Sequence, residues 1–381
     1  MTATPHNSTG TRSTDTLIVG AGVSGLSAGF SLAREGKSVT VLEADDHPGG
    51  NVRSIRDGEW QVEIGPNTLV AKPALYELLR ELDLAETAVF AGAAGKKRYI
   101  AQGPQPVALP SSPLAAPFNP LLGPGSWWRL LREPWVGHVT HEETLAAFVE
   151  RRLGRQILDN LVDPFVSGVY AGDPARLSVQ AAMPRLAAME REHGSLIRAG
   201  LAAMKAARRR RREGSDPLPR AWRGRLLSFP EGIQTLTDRL ADRIAASPEG
   251  EVACGRRVET VVPSANGWLA TDAEGVRWQA RRLLLATPAH VSAALLRPID
   301  PLLAEPLDEI VYPPVASVAL GFPSGMLAHP LDGFGVLVPR NQHRRTLGAL
   351  FSSTLFAHRA PTGHKLITAF IGCLLYTSDA A

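Results

Sequence analysis

The 381-residue sequence has only two cysteines, Cys254 and Cys373, and no apolar run long enough to span a membrane. Two isolated cysteines exclude a disulfide framework and a cysteine-based metal site, and they favour a reducing compartment. No carboxylate or cysteine completes a plausible metal set with His138 and His141, so no metal is predicted. Residues 1–13 lack the apolar core of a secretory signal, and we expect a disordered tail there.

Basic residues are concentrated in one stretch of the chain. The net charge is +4, and residues 205–225 contain nine Lys and Arg against Glu213 and Asp216. Such a run is typical of a solvated helix face or loop, and contact with anionic lipid headgroups is the alternative. No nucleic-acid-binding motif surrounds it, so nucleic acid is not an expected partner.

The order of sequence patterns predicts an α/β fold with a long helical insertion. Residues 16–19 and 38–43 are short β-branched runs on either side of a helix of small residues, which indicates a βαβ unit and a parallel sheet. Residues 141–213 then have mostly helical periodicity, and strand patterns return after residue 250. We therefore expect the first domain to be interrupted and completed later in the chain.

Three glycines follow the first predicted strand in the order Gly20-x-Gly22-x-x-Gly25. In a dinucleotide-binding turn, the first permits a tight turn, the second lets the backbone approach a pyrophosphate, and the third allows close packing of helix on strand. The N-terminus of the following helix offers N–H donors to the phosphates. Glu43 closes the next strand, eighteen residues after Gly25, where a carboxylate would bind ribose hydroxyls. The pattern predicts a bound dinucleotide.

A second set of glycine turns favours FAD over NAD. The doublet Gly49-Gly50 and the turn at residues 64–68 follow the strand that ends in Glu43. In two-dinucleotide-binding flavoproteins, such a doublet lets the backbone come close to the flavin end of FAD. A nicotinamide enzyme would not need this second set, so non-covalent FAD is the predicted cofactor.

Four longer stretches carry a resemblance to a known family. They are DPFVSGVYAGDPARLS (163–178), LLSFPEGIQTLTDRL (226–240), DGFGVLVP (332–339) and LGALFSSTLFAHRAP (347–361). Their order is that of the oxygen-dependent protoporphyrinogen oxidases, which belong to the wider amine oxidase and phytoene desaturase group. The chain resembles that family over residues 14–373 and is most similar to its plant- and cyanobacterium-like branch.

The resemblance implies a division of the chain. The fold class would be α/β, with a Rossmann-like, two-dinucleotide-binding FAD domain, a mixed-sheet substrate domain and an inserted helical membrane-associating lobe. Residues 14–90 and 226–290 would form the FAD-binding domain, residues 91–110 and 291–373 the substrate-binding domain, and residues 111–225 the lobe.

Cofactor-binding residues are implied position by position. The pyrophosphate and adenosine would be held by Gly20, Ala21, Gly22, Val23, Ser24, Gly25, Glu43 and Ala44. The flavin end would be lined by Gly50, Asn51, Gly65, Pro66, Asn67 and Thr68. The backbone of Val258 would pair with the adenine.

Substrate-binding residues are implied in the same way. Arg98 matches an arginine that anchors a substrate propionate, although an exposed arginine is more often plain surface charge. Phe334 and Leu337 match residues that sandwich the macrocycle, and core packing is the alternative for Phe334. Phe370 would add a third wall, and at Gly168 the backbone would approach the substrate.

The implied reaction is the oxidation of protoporphyrinogen IX to protoporphyrin IX by O2. Three rounds of hydride transfer to the flavin would remove six electrons and give hydrogen peroxide. No side-chain base is needed, and none is predicted. The alternatives are the same chemistry on coproporphyrinogen III, an amine oxidase or desaturase reaction, and an inactive scaffold.

The implied lobe bears on location and partners. Trp127-Trp128 fits either core packing or a lipid headgroup boundary. A cytoplasmic protein attached peripherally to a membrane surface is expected, and a homodimer is a further expectation.

The chain departs from the family pattern at two places. His47-Pro48 stands where the wider group usually has an arginine before the glycine doublet, which would weaken a phosphate contact. Residues 374–381 match nothing expected there and are interpreted as a non-native tail after a truncation. We therefore expect the 381-residue chain to bind FAD weakly and to have little activity.

Overall fold

A computed structural model describes residues 10–110, 119–139, 141–213 and 217–372, which form two compact units. The first unit comprises Met1–Asp57, Gln61–Val89 and Leu226–Tyr312, and the second comprises Gly58–Trp60, Phe90–Arg225 and Pro313–Ala381. The second unit thus contains both the expected helical lobe and most of the expected substrate domain. The predicted tail at residues 374–381 lies outside the described residues.

The strands follow the expected alternation in the first unit and return after the helical stretch. They are, in chain order, β1 (Thr11–Val19), β2 (Val39–Leu42), β3 (Ser54–Asp57), β4 (Trp60–Glu63), β5 (Leu69–Val70), β6 (Val89–Phe90), β7 (Tyr99–Gln102), β8 (Gln105–Ala108), β9 (Leu226–Ser228), β10 (Gly250–Ala253), β11 (Val258–Ser264), β12 (Gly267–Asp272), β13 (Arg277–Leu285), β14 (Ala316–Pro323), β15 (Gly335–Leu337), β16 (Thr346–Leu350) and β17 (His364–Ile371).

The helices are concentrated between β8 and β9. They are, in chain order, α1 (Val23–Arg34), α2 (Pro73–Glu81), α3 (Pro124–Arg132), α4 (Leu145–Arg152), α5 (Arg155–Ile157), α6 (Asp163–Tyr170), α7 (Val179–Ala182), α8 (Pro184–His193), α9 (Leu196–Arg212), α10 (Gln234–Ala245), α11 (Ala289–Leu296), α12 (Pro301–Asp308) and α13 (Ser352–Leu355). Among the helices in the described ranges, none combines the length and the hydrophobicity that a membrane span requires.

The first unit is built on a six-stranded sheet in the order β10-β2-β1-β13-β12-β11. The four strands from β10 to β13 are parallel, and β12 and β11 are antiparallel additions. Leu17, Leu42 and Trp278 are fully buried in its core. The predicted βαβ opening corresponds to β1, α1 and β2, which places the glycine turn at the carboxyl end of the central strand, where open α/β sheets bind ligands.

The tail prediction is wrong for residues 11–13, because β1 begins at Thr11. Thr11 pairs with Arg277, and the register continues unbroken toward Val19. β13 is nine residues long and supplies hydrogen-bonding partners to β1 as far as Thr11. In addition, the Arg12 guanidinium lies 4.9 Å from the centre of the Trp278 ring. A polar stretch can thus form a strand when a long neighbouring strand gives it a partner.

The sheet of the second unit has the order β14-β17-β16-β15-β7-β8. Strands β14 to β17 pair antiparallel, β7 pairs in parallel with β15, and β8 is antiparallel to β7. Tyr99, Leu331 and Phe351 form a small core cluster in this unit. A separate cluster around Phe148, Leu158 and Val166 forms the core of the helical part.

A buried ion network orders the helices. Arg152 is fully buried and donates to Glu133 at 2.8 Å and to Glu190 through both Nε and Nη2. Glu133, also fully buried, accepts from Ser195 Oγ and from the backbone N–H of Leu196 at the start of α9. Burial acts to raise the pKa of Glu133, but these donors outweigh it, and its pKa is lower than usual. The network therefore fixes the beginning of α9 against the segment after α3.

Glu133→Gln should lower the free energy of unfolding by about 3 kcal/mol, because it breaks a buried ion pair and leaves Arg152 partly uncompensated. Urea unfolding measures the change. Since the folded pKa of Glu133 is depressed, its contribution is present above the unfolded pKa and is lost as pH falls through the folded value. The loss of unfolding free energy caused by Glu133→Gln should therefore be smaller at acidic pH.

Glu192→Gln is the matched control, because Glu192 lies in an exposed pair 3.9 Å from Arg191. Its effect should stay within about 0.5 kcal/mol. Equal effects of the two substitutions would contradict the role given to the buried network.

Candidate functional site

The glycine turn between β1 and α1 is a junction at which two positions tolerate only glycine. A Cβ at Gly25 would lie 2.0 Å from the carbonyl oxygen of Gly20. Gly20 has φ of +103°, and its added Cβ would lie 2.8 Å from the Ala286 carbonyl oxygen in the turn after β13. The first and third glycines of the pattern are therefore required by backbone packing alone.

Gly22 is different, because the protein leaves space for a side chain at this position. An added Cβ there meets no atom within 4 Å, and its φ of −68° suits any residue. It lies immediately before α1, which has neither a side-chain cap nor an acidic residue in its first turn. Val23 and Ser24 in that turn are exposed. This open helix N-terminus fits an anionic group such as a pyrophosphate.

Glu43 lies beside this turn with its carboxylate held by the backbone. Its Oε2 accepts from the N–H of Ala21 at 2.7 Å, and its Oε1 accepts from the N–H of Asp45 at 3.1 Å. The side chain is only 9% exposed. Ala44 next to it is exposed. The carboxylate is thus fixed at the edge of the turn, where a ribose diol would meet it.

The Gly49-Gly50 turn packs on the Gly20–Gly25 turn, and the turn that contains Gly65 packs on Asn51. Gly22 forms a parallel bridge with Gly49, whose N–H donates to the Ala21 carbonyl at 2.8 Å. A Cβ at Gly50 would lie 3.3 Å from Gly22 Cα, and Gly50 has φ of +57°. A Cβ at Gly65 would lie 1.8 Å from the Asn51 carbonyl oxygen. The three turns therefore form one continuous backbone surface.

The remaining predicted cofactor residues lie on the same unit. Asn67 is buried and donates to the Gly65 carbonyl at 3.1 Å, which closes the turn that contains exposed Pro66 and half-buried Thr68. Val258 is buried at the start of β11, where it pairs with Asp272 just before a bulge. The residues present fit a dinucleotide such as FAD.

Sequence reasoning missed the residues that support these turns. Gly232, with φ of +103°, lies so close to Ser54 that a Cβ would be 2.2 Å from its Oγ. Ser54 Oγ donates to Glu63 at 2.5 Å, and the N–H of Ile233 donates to the same carboxylate at 3.1 Å. The sequence segment PEGI contained a signal for this support. Its glycine stands just before a helix, where helix formation itself does not require a glycine.

The predicted substrate residues all belong to the second unit. The Arg98 guanidinium carbon lies 5.6 Å from the centre of the Phe334 ring, and Arg98 is exposed. A Cβ at Gly168, on α6, would lie 2.7 Å from Leu337 Cδ2. Gly168 and Leu337 are therefore in contact, and Arg98 and Phe334 form a second contact.

Phe370 joins this group through the sheet. Leu337 pairs with Gly348, and Gly348 pairs with Phe370, so the three residues lie in one row across β15, β16 and β17. Cross-strand partners point to the same face of a sheet. A Cβ at Gly348 would lie 3.3 Å from Leu337 Cδ2, so the Leu337 side chain covers Gly348 within this row.

Ion pairs surround this surface. Lys97 Nζ donates to Asp332 Oδ2 at 2.7 Å, and the Tyr99 hydroxyl donates to Asp332 Oδ1. These hydrogen bonds, that from Lys97 first, hold the pKa of Asp332 below its usual value. Arg340 donates to Asp163 at 2.7 Å and to Asp173 at 3.3 Å, which ties down the start of α6. Burial raises the pKa of Asp163 despite this pairing.

No cluster of metal-ligating side chains is present in the described parts of the chain. Cys254, described as a free thiol, is partly buried, and burial raises its pKa, with Glu43 and Asp46 adding to the effect. His47 Nδ1 lies 2.7 Å from the Asp46 carboxylate, at the place where the family pattern has an arginine.

Gly22→Ala tests whether the turn holds a cofactor rather than only a fold. Since the free protein has space at Gly22, the variant should unfold at the wild-type temperature but lose at least about tenfold in FAD affinity, measured by quenching of flavin fluorescence. Gly200→Ala on α9, where an added Cβ also meets nothing, is the control and should bind FAD as the wild type does. Unchanged affinity in Gly22→Ala would contradict the assignment.

Comparison with known proteins places this geometry in a family. The model of the flavin containing amine oxidoreductases matches residues 23–375. The chain is 32% identical over 378 residues to protoporphyrinogen oxidase 2, chloroplastic/mitochondrial, of Arabidopsis thaliana, covering 93% of this chain and 74% of that protein. It is 31% identical to the mitochondrial protoporphyrinogen oxidase of Nicotiana tabacum, covering 93% and 75%.

More distant similarities extend the comparison. Coproporphyrinogen III oxidase of Bacillus subtilis (strain 168) is 26% identical over 93% of this chain and 77% of its own length. A solved structure from Exiguobacterium sp. 255-15 superposes with a TM-score of 0.75 at 23% identity, covering 96% of this chain and 78% of that one. A reduced UDP-galactopyranose mutase gives a TM-score of 0.68 at 16% identity, covering 94% and 74%. These structures share the fold.

Proposed function

The chain belongs to the family of flavin containing amine oxidoreductases, and we propose that it is an FAD-dependent oxidase that converts protoporphyrinogen IX to protoporphyrin IX with O2 as acceptor. The identity of 32% to a plant protoporphyrinogen oxidase supports this substrate over coproporphyrinogen III, for which the identity is 26%. The observation that carries the proposal is a pair of contacts within the second unit. Arg98 contacts Phe334, and Leu337 contacts Gly168.

FAD would be held by the continuous surface of glycine turns in the first unit. The N–H groups of Val23 and Ser24 would face the pyrophosphate beside Gly22, and the Glu43 carboxylate would accept from the ribose hydroxyls. Gly50, Asn51 and residues 65–68 would line the flavin end. Bound FAD supplies a hydride acceptor whose electrons pass to O2 as hydrogen peroxide, and three rounds account for the six electrons of the reaction.

The second unit would bind and orient the porphyrinogen. An arginine fork suits a carboxylate, because two parallel N–H donors meet two oxygens, so Arg98 would anchor one propionate. Phe334, Leu337 and Phe370 would supply apolar contacts to the macrocycle, and Gly168 would leave room beside Leu337. No side-chain base is assigned, since the pyrrole N–H protons can leave to solvent once the hydride has been removed.

Charge pairing around Arg98 favours a substrate with few carboxylates at this end. Lys97 is paired with Asp332, and Arg340 with Asp163 and Asp173. No described carboxylate contacts the Arg98 guanidinium, which leaves its donors for a ligand. A four-propionate coproporphyrinogen would gain less from this surface than from one with several free cations.

Arg98→Met should raise the KM for protoporphyrinogen IX at least about tenfold with a smaller change in kcat, because a charge-assisted contact to a non-reacting group is lost. Porphyrin fluorescence and hydrogen peroxide release, measured with saturating FAD, report the rate. Arg80→Met on α2, where Arg80 is exposed, is the control and should leave both constants unchanged. Faster turnover of coproporphyrinogen III than of protoporphyrinogen IX by the wild type would contradict the substrate assignment.

We also propose that the helical part attaches to the surface of a membrane. Trp128, Leu131 and Trp135 are at least 65% exposed and follow one another at helical spacing along α3 and the turn after it. On α9, Leu201 and Met204 are more than half exposed. The buried Glu133 connects the two segments, and the basic residues of α9 would meet anionic headgroups.

Trp128→Ser with Trp135→Ser should abolish most co-sedimentation with vesicles that contain phosphatidylserine, because aromatic side chains provide interfacial binding. Leu302→Ser is the matched control, since Leu302 is 82% exposed on α12 of the first unit. Its binding should equal that of the wild type. Equal loss in both proteins, or none in the double variant, would contradict attachment through the helical part.

A further inference from the structure

The segment from Asp332 to Phe334 lies directly on the segment from Lys97 to Tyr99. The Asp332 carboxylate accepts from Lys97 Nζ at 2.7 Å through one oxygen and from the Tyr99 hydroxyl through the other. The N–H of Phe334 donates to the Lys97 carbonyl at 2.7 Å. A Cβ at Gly333 would lie 2.8 Å from that same carbonyl oxygen and from Tyr99 Cε2, so only glycine permits this approach.

Asp332 therefore binds the two neighbours of Arg98 and not Arg98 itself. Successive residues of an extended strand point to opposite faces, so Lys97 and Tyr99 share one side and Arg98 takes the other. The Leu109 N–H donates to the Arg98 carbonyl at 2.8 Å, which extends the pairing of β7 with β8 through this residue. Because Asp332 holds both neighbours, Arg98 cannot turn to the Asp332 side unless two hydrogen bonds break. One is the charge-assisted bond from Lys97, and the other is the bond from the Tyr99 hydroxyl.

We propose that Asp332 is a positioning residue, which fixes the direction of the Arg98 guanidinium beside Phe334 so that it can receive a carboxylate of the substrate. This inference rests on the proposed function, in which Arg98 anchors a propionate. Asp332 contacts neither substrate nor cofactor in this scheme. Its role is to reduce the conformational freedom that Arg98 would otherwise lose on binding.

Long-range electrostatics predicts the opposite effect of removing Asp332. Its carboxylate is negative and binds the two residues that flank Arg98, so its loss would by charge alone favour an anionic ligand. Weaker binding of a carboxylate ligand after removal of Asp332 would therefore indicate positioning rather than a change in local potential.

The experiment compares protoporphyrin IX with its dimethyl ester, which lacks the free carboxylates. Binding to the 381-residue protein is followed by porphyrin fluorescence without any turnover. The wild type should bind the acid at least about tenfold more tightly than the ester. Asp332→Asn should reduce this preference about fivefold or more by weakening the acid alone, and Asp332→Glu should restore part of it.

Two further variants complete the test. Tyr99→Phe keeps the ring in its core cluster and removes the hydroxyl that donates to Asp332. It should also lower the preference for the acid. This variant replaces Asp332→Asn in the test if Asp332→Asn does not fold. Asp308→Asn, in an exposed pair with Arg297 on the first unit, should leave the preference unchanged.

The outcomes separate this inference from the proposed function. A wild-type preference for the acid that survives in Asp332→Asn and Tyr99→Phe, or that increases, overturns the positioning role alone. A wild type that binds acid and ester equally overturns the propionate anchor at Arg98 and the inference with it.

Discussion

Contact between backbone and backbone at the end of β1 is the constraint on which the first unit depends. Gly25 lies against the Gly20 carbonyl, Gly20 against the Ala286 carbonyl, and Gly65 against the Asn51 carbonyl, all at distances that exclude a Cβ. These contacts bring residues from four separate turns onto one surface. Within the Gly20–Gly25 turn, Gly22 is the glycine at which an added Cβ would meet no atom, and this is the position at which a dinucleotide-binding turn approaches a pyrophosphate.

Glycines also determine the packing in the second unit, but there they lie against an apolar side chain and not against backbone carbonyls alone. A Cβ at Gly168 or at Gly348 would lie 2.7 or 3.3 Å from Leu337 Cδ2, so both glycines make room for this apolar side chain. Charged residues fix the edges of the proposed substrate surface. Arg340 holds the start of α6 through Asp163 and Asp173, and Asp332 holds the residues on either side of Arg98. Packing thus shapes the surface, and ion pairs orient it.

Much of the candidate cofactor site, as a set of turns, could be predicted from the sequence because its signals are local. A glycine pattern between a strand and a helix, followed by an acidic residue at the end of the next strand, specifies a dinucleotide turn within thirty residues. Contacts between distant segments could not be predicted in this way. The Ala286 carbonyl, the support of Glu63 by Ile233 and the binding of Lys97 to Asp332 join residues far apart in the chain.

Other features depended on partners that composition does not show. Residues 11–13 are polar and gave no strand signal, yet they extend β1 because β13 is long. Glu133 and Arg152 belong to residue types that are mostly exposed, and only the fold shows that they are buried against each other. The proposed substrate residues come from family resemblance, since an exposed arginine and a phenylalanine between glycines have no distinctive pattern.

A crystal structure of the protein grown with FAD would test the central claim most directly. The account predicts the pyrophosphate against the first turn of α1 at Gly22, the ribose beside the Glu43 carboxylate and the isoalloxazine ring along Gly50 to Thr68. FAD bound with its phosphates away from Gly22 and α1, or a turn that rearranges to exclude it, would contradict the account.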